Sequence, residues 1–423
     1  MLDIQFIREN KQVVIDNMHK KNIEDTNAIT QVIELDDKRK NLLTESQKLR
    51  TQRNSLSAQV NETKKSGGDI SELLKQVKEI PEKIKQFDEQ IQTVEQDLNK
   101  TLRLIPNILN QDVNQGKSED DNIELKRYGA IPKFDFEVKA HSQIAVDLGM
   151  ADFESAARTS GTGFYYIQGD LALLNQALLR FAIDEMILAG FTYVETPLML
   201  RNDIVSNVVD LGDQENQIYK IEDEDLYLIG TSEHSLIGRY VEQTLHETDL
   251  PIVQTSYSMS FRKEKGSHGL DERGLFRTHQ FNKIEMIVIC KPEESQDYYK
   301  KLQEITLQIF QKLELPVRVL QICSGDIGNL KHNQVDIECW SPRQEGFIEV
   351  GSCSNLTDAQ ARMLKIKYTT NKHEKFVPHT LNNTAIATSR ALVALLENFQ
   401  QADGTVKIPV CLHKYMYGKT VLQ

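Results

Sequence analysis

The chain has 423 residues, of which 39% are hydrophobic, so it is long enough for two or three domains with a substantial core. Its formal net charge of −12 at pH 7 argues against nonspecific nucleic-acid binding by the whole surface, so any RNA contact must come from local basic patches. No apolar signal segment or membrane-length run is evident, and the five dispersed cysteines include no C-x-x-C pair. We therefore expect a cytoplasmic protein with no zinc site and no disulfide framework.

A helical arm is predicted from about residue 30 to 105, where Glu, Gln, Lys, Asp, Leu and Ile dominate. The second half has apolar residues at heptad spacing, namely Leu73, Val77, Ile80, Ile84, Phe87, Ile91, Val94, Leu98 and Leu102. The first half repeats more weakly, at Leu35, Leu42, Leu49 and Leu56. Residues 66–69, SGGD, form a turn and a helix N-cap between the halves. The pattern predicts a long antiparallel helical hairpin, with a kink or break near Ile80 because Pro81 removes a hydrogen bond.

The first helix of this hairpin carries an excess of basic residues, at Lys38, Arg39, Lys40, Lys48, Arg50, Arg53, Lys64 and Lys65. Charge alone leaves two interpretations open, a solvated coiled-coil surface and a nucleic-acid contact.

A linker rich in Asn, Asp, Gly and Ser follows from about residue 106 to 122. Beyond it, short apolar strands such as 286–289 alternate with helical stretches such as 171–189 and 298–313. This alternation predicts an α+β domain with a mostly antiparallel sheet and flanking helices. The expected domains are residues 1–110, which contain the arm, and residues 111–423.

Two segments of the second domain have a structural and a functional interpretation. Residues 190–197, GFTYVETP, fit a helix end followed by an edge strand. In residues 228–234, LIGTSEH, the carboxylate of Glu233 beside the hydroxyl group of Thr231 can pair with a substrate ammonium group. The same residues also fit an ordinary helix N-terminus.

Residues 260–285 predict two antiparallel strands joined by a Gly-rich loop that continues into Arg273. Arg262 can place a planar guanidinium group on a phosphate, and Phe281 offers a ring to an adenine. Further on, the strand 347–355 carries Glu349 among small polar residues, and residues 381–390 end at Arg390 before an apolar helical run. Taken singly, each of these residues fits a surface ion pair, a core position or a polar strand end.

Taken in this order, the segments resemble the class II aminoacyl-tRNA synthetases, in the form seen in the seryl-tRNA synthetase family. Residues 190–197 resemble motif 1, residues 260–285 motif 2 and residues 381–390 motif 3, while residues 228–234 resemble the amino-acid loop. Ser232 and His234 flank Glu233 as in the archaeal versions, and Ala387 and Thr388 stand where glycines are common. The resemblance covers essentially the whole chain.

The resemblance implies serine activation by ATP to seryl-adenylate, followed by transfer of serine to the 3′ end of tRNA(Ser). It implies the ATP-binding residues Arg262, Lys263, Glu264, Arg277, Thr278, Phe281, Glu349, Val350, Gly351, Ser352 and Arg390. It implies the serine-binding residues Thr231, Ser232, Glu233, Arg262, Glu285 and Thr384. The catalytic residues would be Arg262, Glu264, Arg277 and Arg390, and Glu349 and Ser352 would bind Mg²⁺.

The resemblance also implies a homodimer and an arm that binds the tRNA, and it leaves open whether tRNA(Sec) is charged as well. One alternative enzyme is a synthetase-like paralogue that loads a carrier protein, although such a paralogue is expected to lack the long arm. A different class is an RNA-binding or scaffold protein with an inactive site, against which the retention of Arg262, Glu285, Glu349 and Arg390 argues.

Overall fold

The computed structural model describes residues 1–210, 214, 216–264 and 274–423. These residues form two compact units, Met1–Pro106 and Asn107–Gln423.

The first unit is helical, with α1 (Ile4–Glu9), α2 (Lys11–Lys20), α3 (Asn27–Lys65) and α4 (Ser71–Leu102). Arg39 lies near Glu95 and Arg50 near Asp88, so the paired positions run in opposite chain directions and the hairpin is antiparallel. The heptad prediction is confirmed along most of α4, where six of its apolar residues are buried: Ile80, Ile84, Ile91, Val94, Leu98 and Leu102.

The helix does not break near Ile80: α4 runs uninterrupted through Pro81, from Ser71 to Leu102. Ile80 and Ile84 flank the proline and form a buried cluster with Leu56 of α3. Packing across the hairpin thus compensates for the one hydrogen bond that proline cannot make. At the turn, the N-cap of α4 is Ile70, which makes no side-chain capping hydrogen bond, and not Asp69 as predicted. The Asp69 carboxylate nonetheless accepts a hydrogen bond from the Ser71 backbone N–H at 2.9 Å.

The helices of the second unit are α5 (His141–Asp147), α6 (Phe153–Ser160), α7 (Gly169–Leu188), α8 (Asn202–Val208), α9 (Ser232–Gly238), α10 (Ser295–Lys312), α11 (Ala359–Met363) and α12 (Thr388–Asn398). Its strands are β1 (Ile123–Tyr128), β2 (Ala151–Asp152), β3 (Tyr166–Ile167), β4 (Thr192–Tyr193), β5 (Met199–Arg201), β6 (Leu226–Leu228), β7 (Thr244–His246), β8 (Ile252–Phe261), β9 (Gln280–Cys290), β10 (Val317–Gln321), β11 (Asn333–Ser341), β12 (Gly346–Thr357), β13 (Lys367–Thr369), β14 (Lys375–Phe376), β15 (His379–Ala387), β16 (Val406–Lys407) and β17 (Val421–Leu422).

An eight-stranded sheet forms the centre of this unit, in the order β1-β10-β11-β12-β15-β9-β8-β4. Every pair is antiparallel except β8 with β4, which is parallel. The α+β prediction is therefore confirmed. Strand β9 is buried along almost its whole length because it lies between β15 and β8 and is covered by helices. Helix α10 packs on the sheet through Tyr299, Leu302, Ile309 and Phe310, which recur at the spacing of a single helix face.

The register of this sheet contains a bulge in β12. Ile337 of β11 lies opposite Gly351, and Glu338 lies opposite Glu349, so Val350 has no partner in β11. An extra residue reverses the alternation of side chains across the sheet beyond that point. Glu349 and Ser352, three positions apart, can therefore face the same side of the sheet.

Candidate active site

A cavity of about 520 Å³ lies against the central strands of the sheet and the start of α12. Most of the residues predicted to bind ATP or serine line it, namely Thr231, Glu233, Arg262, Glu264, Arg277, Thr278, Phe281, Glu285, Glu349, Val350, Gly351, Ser352, Thr384 and Arg390. They come from five separate segments, so the fold alone brings them together.

Two predicted residues lie outside this lining. The Ser232 side chain is fully buried, and its hydroxyl group donates to the backbone oxygen of Ser256 at 3.2 Å. The backbone N–H of Lys263 donates to the oxygen of Gln217 at 2.8 Å, and its side chain is not part of the cavity wall. Arg273, at the end of the predicted Gly-rich loop, lies outside the described residues.

The floor of the cavity is built from alternate residues of β9. Phe281, Lys283 and Glu285 are two positions apart and all three line it, as expected for one face of a strand. Lys283 and Glu285 form a salt bridge, and the Glu285 side chain is only 1% exposed. The Thr231 hydroxyl group donates to Glu285 at 3.2 Å and accepts from the Lys283 ammonium group at 3.3 Å. The Thr231 hydroxyl group therefore bridges the Lys283 ammonium group and the Glu285 carboxylate and holds both in place.

A second carboxylate, Glu233, lies in the first turn of α9. Burial and the charge of Glu285 raise its pKa above the ordinary value, against the opposing effect of the Gln360 amide group, which donates to it at 3.0 Å. Two carboxylates and one ammonium group therefore share this end of the cavity. These three groups carry one negative charge in excess when all are ionised, and the charge of Lys331, which also lines the cavity, partly offsets it.

His234 adds a neutral ring to the same wall. Burial, with the nearby charges of Arg262 and Lys283, lowers its pKa to about 3, so the ring carries no charge at neutral pH. Its Nδ1 atom is buried without a hydrogen-bond partner among the described residues.

Arg262 follows β8 and spans two parts of the cavity. Its Nε atom donates to the Gly230 oxygen at 3.3 Å, and its guanidinium carbon lies 5.3 Å from the centre of the Phe281 ring. The backbone N–H of Arg262 donates to the oxygen of His279 at 3.0 Å. The side chain is thus held between the amino-acid loop and the aromatic ring.

Two further arginines approach the opposite side of the cavity. Arg390, in the first turn of α12, donates to the Glu349 backbone oxygen at 2.7 Å and lies 3.0 Å from its carboxylate. Arg277 lies 3.5 Å from the carboxylate of Glu264. Both guanidinium groups lie near the Phe276 ring, with distances to its centre of 5.2 Å for Arg390 and 5.9 Å for Arg277. The result is a pair of cations that flank one aromatic ring.

A pair of carboxylates on β11 and β12 lies beside Arg390. Asp336 is opposite Ser352 in the sheet, and the Gln334 amide group donates to Asp336 at 2.8 Å and to the Ser352 hydroxyl oxygen at 3.0 Å. Burial and the charge of Glu349 raise the pKa of Asp336 to about 7. For Glu349 itself, burial is outweighed by the Arg390 guanidinium group, so its pKa lies below the ordinary value. The bulge at Val350 allows Glu349 and Ser352 to share this wall.

Many lining residues were not predicted from the sequence, among them His234, Phe276, Lys283, Lys331, Gln334 and Asp336. Lys283 had a signal, since it lies midway between two predicted residues on the same strand face. Asp336 had none, because its place depends on pairing with Ser352, which lies 16 residues further along the chain.

The basic residues of the arm divide into paired and unpaired groups. Arg50 binds Asp88 of α4 through two hydrogen bonds of 2.9 and 2.7 Å, and Arg39 lies 3.0 Å from Asp36. Arg50 therefore joins the two helices of the hairpin, whereas the Arg39–Asp36 pair lies within α3 and Arg39 reaches α4 only through Glu95 at 3.8 Å. In contrast, Lys38, Lys64 and Lys65 are exposed and form no salt bridge with a described residue.

Within the described ranges, no helix is long and apolar enough to cross a membrane, and no three His, Cys, Asp or Glu side chains are grouped as metal ligands.

Comparison with known proteins adds a family context to this geometry. The model of the class II tRNA synthetase core domain (G, H, P, S and T) matches residues 219–399, and that of the seryl-tRNA synthetase N-terminal domain matches residues 1–109. The serine–tRNA ligase of Methanospirillum hungatei is 43% identical over 425 residues, covering 100% of both chains.

Two solved structures are similar over 100% of this chain and 99% of their own. The seryl-tRNA synthetase from Pyrococcus horikoshii complexed with ATP has a TM-score of 0.89 at 38% identity. The cytoplasmic serine–tRNA ligase from Naegleria fowleri in complex with AMP has a TM-score of 0.85 at 31% identity.

Proposed function

The chain belongs to the seryl-tRNA synthetase family, and on this basis we propose which of its residues carry each part of the reaction. The activity is that of a serine–tRNA ligase, in which serine and ATP give seryl-adenylate and the seryl group then passes to the 3′ end of tRNA(Ser). What remains to be assigned is the role of each side chain in the cavity.

Serine binds at the end of the cavity that holds Thr231, Glu233, Lys283 and Glu285. The observation that carries this assignment is the excess negative charge of two carboxylates around one lysine. A serine ammonium group supplies the missing positive charge, and its removal from water requires such a partner. The serine hydroxyl group reaches Glu285 and Thr384, which lie opposite each other in the sheet.

ATP occupies the remainder of the cavity. Phe281 stacks on the adenine ring, while Glu264 and the Thr278 backbone bind the adenine edge. Arg262 binds the α-phosphate and the serine carboxylate, a role supported by its position between Gly230 and Phe281. Arg277 and Arg390 bind the outer phosphates, since planar guanidinium groups suit phosphate oxygens.

The wall formed by Asp336, Glu349 and Ser352 fits a Mg²⁺ ion that accompanies ATP. Its donors are carboxylate and hydroxyl oxygens, which a hard cation prefers. Burial and, after it, the charge of Glu349 raise the pKa of Asp336, and a cation bound there would offset both effects. Bound there, the ion would neutralise part of the phosphate charge.

The chain's own residues promote adenylate formation by orientation and charge. In-line attack of the serine carboxylate on the α-phosphorus needs the two groups held at contact distance while negative charge develops on the phosphate oxygens. Arg262 stabilises that charge in the transition state without giving or taking a proton. Because the His234 ring is neutral, it adds no positive charge that would repel the serine ammonium group.

The arm supplies the contact with tRNA through the exposed lysines of α3, and the subunits form a homodimer in the cytoplasm. Exposed apolar side chains support the dimer: Ile187 and Leu188 at the end of α7 are 52% and 80% exposed, close in sequence to the edge strand β4. An unpaired sheet edge beside apolar side chains favours association with a second chain.

Serine-dependent exchange of pyrophosphate into ATP tests the assignment of the serine pocket. Exchange should proceed with serine and be strongly reduced with alanine, because alanine leaves the buried polar groups at Glu285 and Thr384 unpaired, and with threonine, whose extra methyl group needs space. Comparable exchange with alanine would contradict the roles of these two residues. Charging of bulk tRNA with serine tests the second step and separates this function from loading of a carrier protein.

A further inference from the structure

A buried histidine outside the cavity connects three distant parts of the second unit. His141, at the start of α5, is 2% exposed, and neither of its ring nitrogens lines the cavity. Its Nδ1 atom lies 3.0 Å from Glu397 in α12, and its Nε2 atom accepts the backbone N–H of Leu275 at 3.2 Å. Leu275 immediately precedes Phe276 and Arg277, which do line the cavity.

The hydrogen bonds determine which nitrogen of His141 carries the proton. Burial raises the pKa of Glu397, but hydrogen bonds from His141 and Ser341 outweigh this effect. The pKa of Glu397 therefore lies below its ordinary value, and its carboxylate is an acceptor. Nδ1 must then be the donor to Glu397, which leaves Nε2 as the acceptor for the Leu275 N–H. The ring is thus a neutral bridge between an acidic residue and a backbone amide.

Close packing around Gly274 supports the same connection. Gly274 has φ +105°, and a Cβ atom at this position would lie 2.4 Å from Nε2 of His141. The ring therefore occupies the space of the missing side chain, and the backbone of the 274–277 segment passes directly beside it.

Glu397 and Arg390 lie on the same helix, α12, at opposite ends. The 274–277 segment contacts both ends: Leu275 through His141 and Glu397, and Phe276 through the Arg390 guanidinium group at 5.2 Å. A segment fixed at two points on one rigid helix cannot rotate about either point alone. The backbone that carries Arg277 is therefore held against the helix that carries Arg390.

We propose that His141 is a positioning residue for ATP, which sets the place of Arg277 in the cavity by anchoring Leu275 to Glu397. This inference rests on the proposed phosphate contact of Arg277. His141 itself touches neither ATP nor serine, so its effect should appear in the ATP dependence of the reaction and not in the serine dependence.

Two substitutions at His141 each preserve a different one of the two hydrogen bonds that the ring makes. His141→Gln can place an amide oxygen near the position of Nε2 and keep the Leu275 contact, whereas His141→Asn can keep only the Glu397 contact. In serine-dependent pyrophosphate exchange, H141N should raise the KM for ATP about tenfold, and H141Q should stay within about threefold of wild type. The KM for serine should change by less than about twofold in both.

Arg277→Ala is measured in parallel to separate the inference from its premise. A rise in the KM for ATP with Arg277→Ala and with H141N, but not with H141Q, supports the proposal. If Arg277→Ala raises that KM and H141N does not, the positioning role is overturned and the phosphate contact stands. If Arg277→Ala leaves the KM for ATP unchanged, the phosphate contact fails and the inference with it.

A purely structural role would lower the melting temperature and kcat together without separating the two KM values. If H141N does not fold, Gly274→Ala approaches the contact from the other side, since its Cβ atom displaces the ring. It should also raise the KM for ATP at unchanged KM for serine. A wild-type KM for ATP in Gly274→Ala would overturn the proposal.

Discussion

Replacing Glu233 by glutamine should remove the charge that we propose binds the serine ammonium group, while keeping the size of the side chain. The pocket would then contain only the Lys283–Glu285 pair, which is balanced before serine arrives. Loss of one charged partner from a buried hydrogen-bonded pair costs about 2–5 kcal/mol. We expect about 2–3 kcal/mol here, because Glu285 remains as a second carboxylate, and this corresponds to a serine affinity about 30- to 150-fold weaker.

The assay is pyrophosphate exchange at saturating ATP with serine varied, followed by the reverse titration. The KM for serine should rise by that factor while the KM for ATP stays near wild type. Because burial and Glu285 raise the pKa of Glu233, wild-type serine affinity should fall as pH decreases through that raised pKa, and the variant should lack this dependence. Glu242→Gln is the control, since Glu242 is an exposed glutamate paired with Lys365. A serine KM within about threefold of wild type, or equal changes in both KM values, would refute the charge argument.

Four further outcomes follow from the same structure. Arg262→Ala should reduce exchange by about 10²- to 10³-fold at an unchanged melting temperature, because it removes a transition-state charge contact, and near wild-type exchange would exclude that role. Replacing residues 30–105 with a short Gly-Ser linker should leave exchange nearly intact and sharply reduce serylation, whereas full serylation would show that the arm is a scaffold. Neutralising Lys38, Lys64 and Lys65 should flatten the salt dependence of tRNA binding, whereas neutralising Lys75, Lys83 and Lys85, which pair with glutamates on α4, should have less effect. Finally, Asp336 keeps its proton up to about pH 7 in the folded state, whereas its ordinary pKa is 3.8. In metal-free buffer, the free energy of unfolding of the wild type should therefore fall from about pH 4 to 7 relative to that of Asp336→Asn. Parallel pH profiles of the two proteins would contradict the assignment.

The arm shows where sequence patterns suffice and where they stop. The heptad spacing of α4 predicted its buried stripe because helix periodicity is a local property. The charge pattern of α3 did not distinguish Arg50, which binds Asp88 across the hairpin, from Lys64, which has no such partner. That distinction depends on the register between two helices. The break allowed for near Ile80 does not occur for the same reason, since tertiary packing of the neighbours of Pro81 maintains the helix.

In the cavity, the resemblance of the motifs placed most of the predicted ATP- and serine-binding residues in the lining, but many other lining residues, and with them the charge balance, were not predicted. In the proposed serine pocket, Lys283 compensates the charge of one of the two carboxylates, so that one negative charge of this group remains in excess. Lys283 was not predicted, although it lies between Phe281 and Glu285 on the same strand. Asp336 and His141 reach their partners only through strand pairing or helix packing over long sequence separations. Such contacts have no periodic signature in a single sequence.

Because of the bulge at Val350, the site depends on how many residues β12 contains as well as on their types. A substitution at this position alters one side chain, whereas a deletion would restore plain alternation and turn either Glu349 or Ser352 towards the opposite face of β12. Val350 is buried in the core, so the strand should accept apolar residues of similar size there more readily than shortening by one residue. For anyone who designs variants of this protein, insertions and deletions in β12 are changes of a different kind from replacements, because they exchange the interior and the cavity sides for every residue of the strand beyond the change.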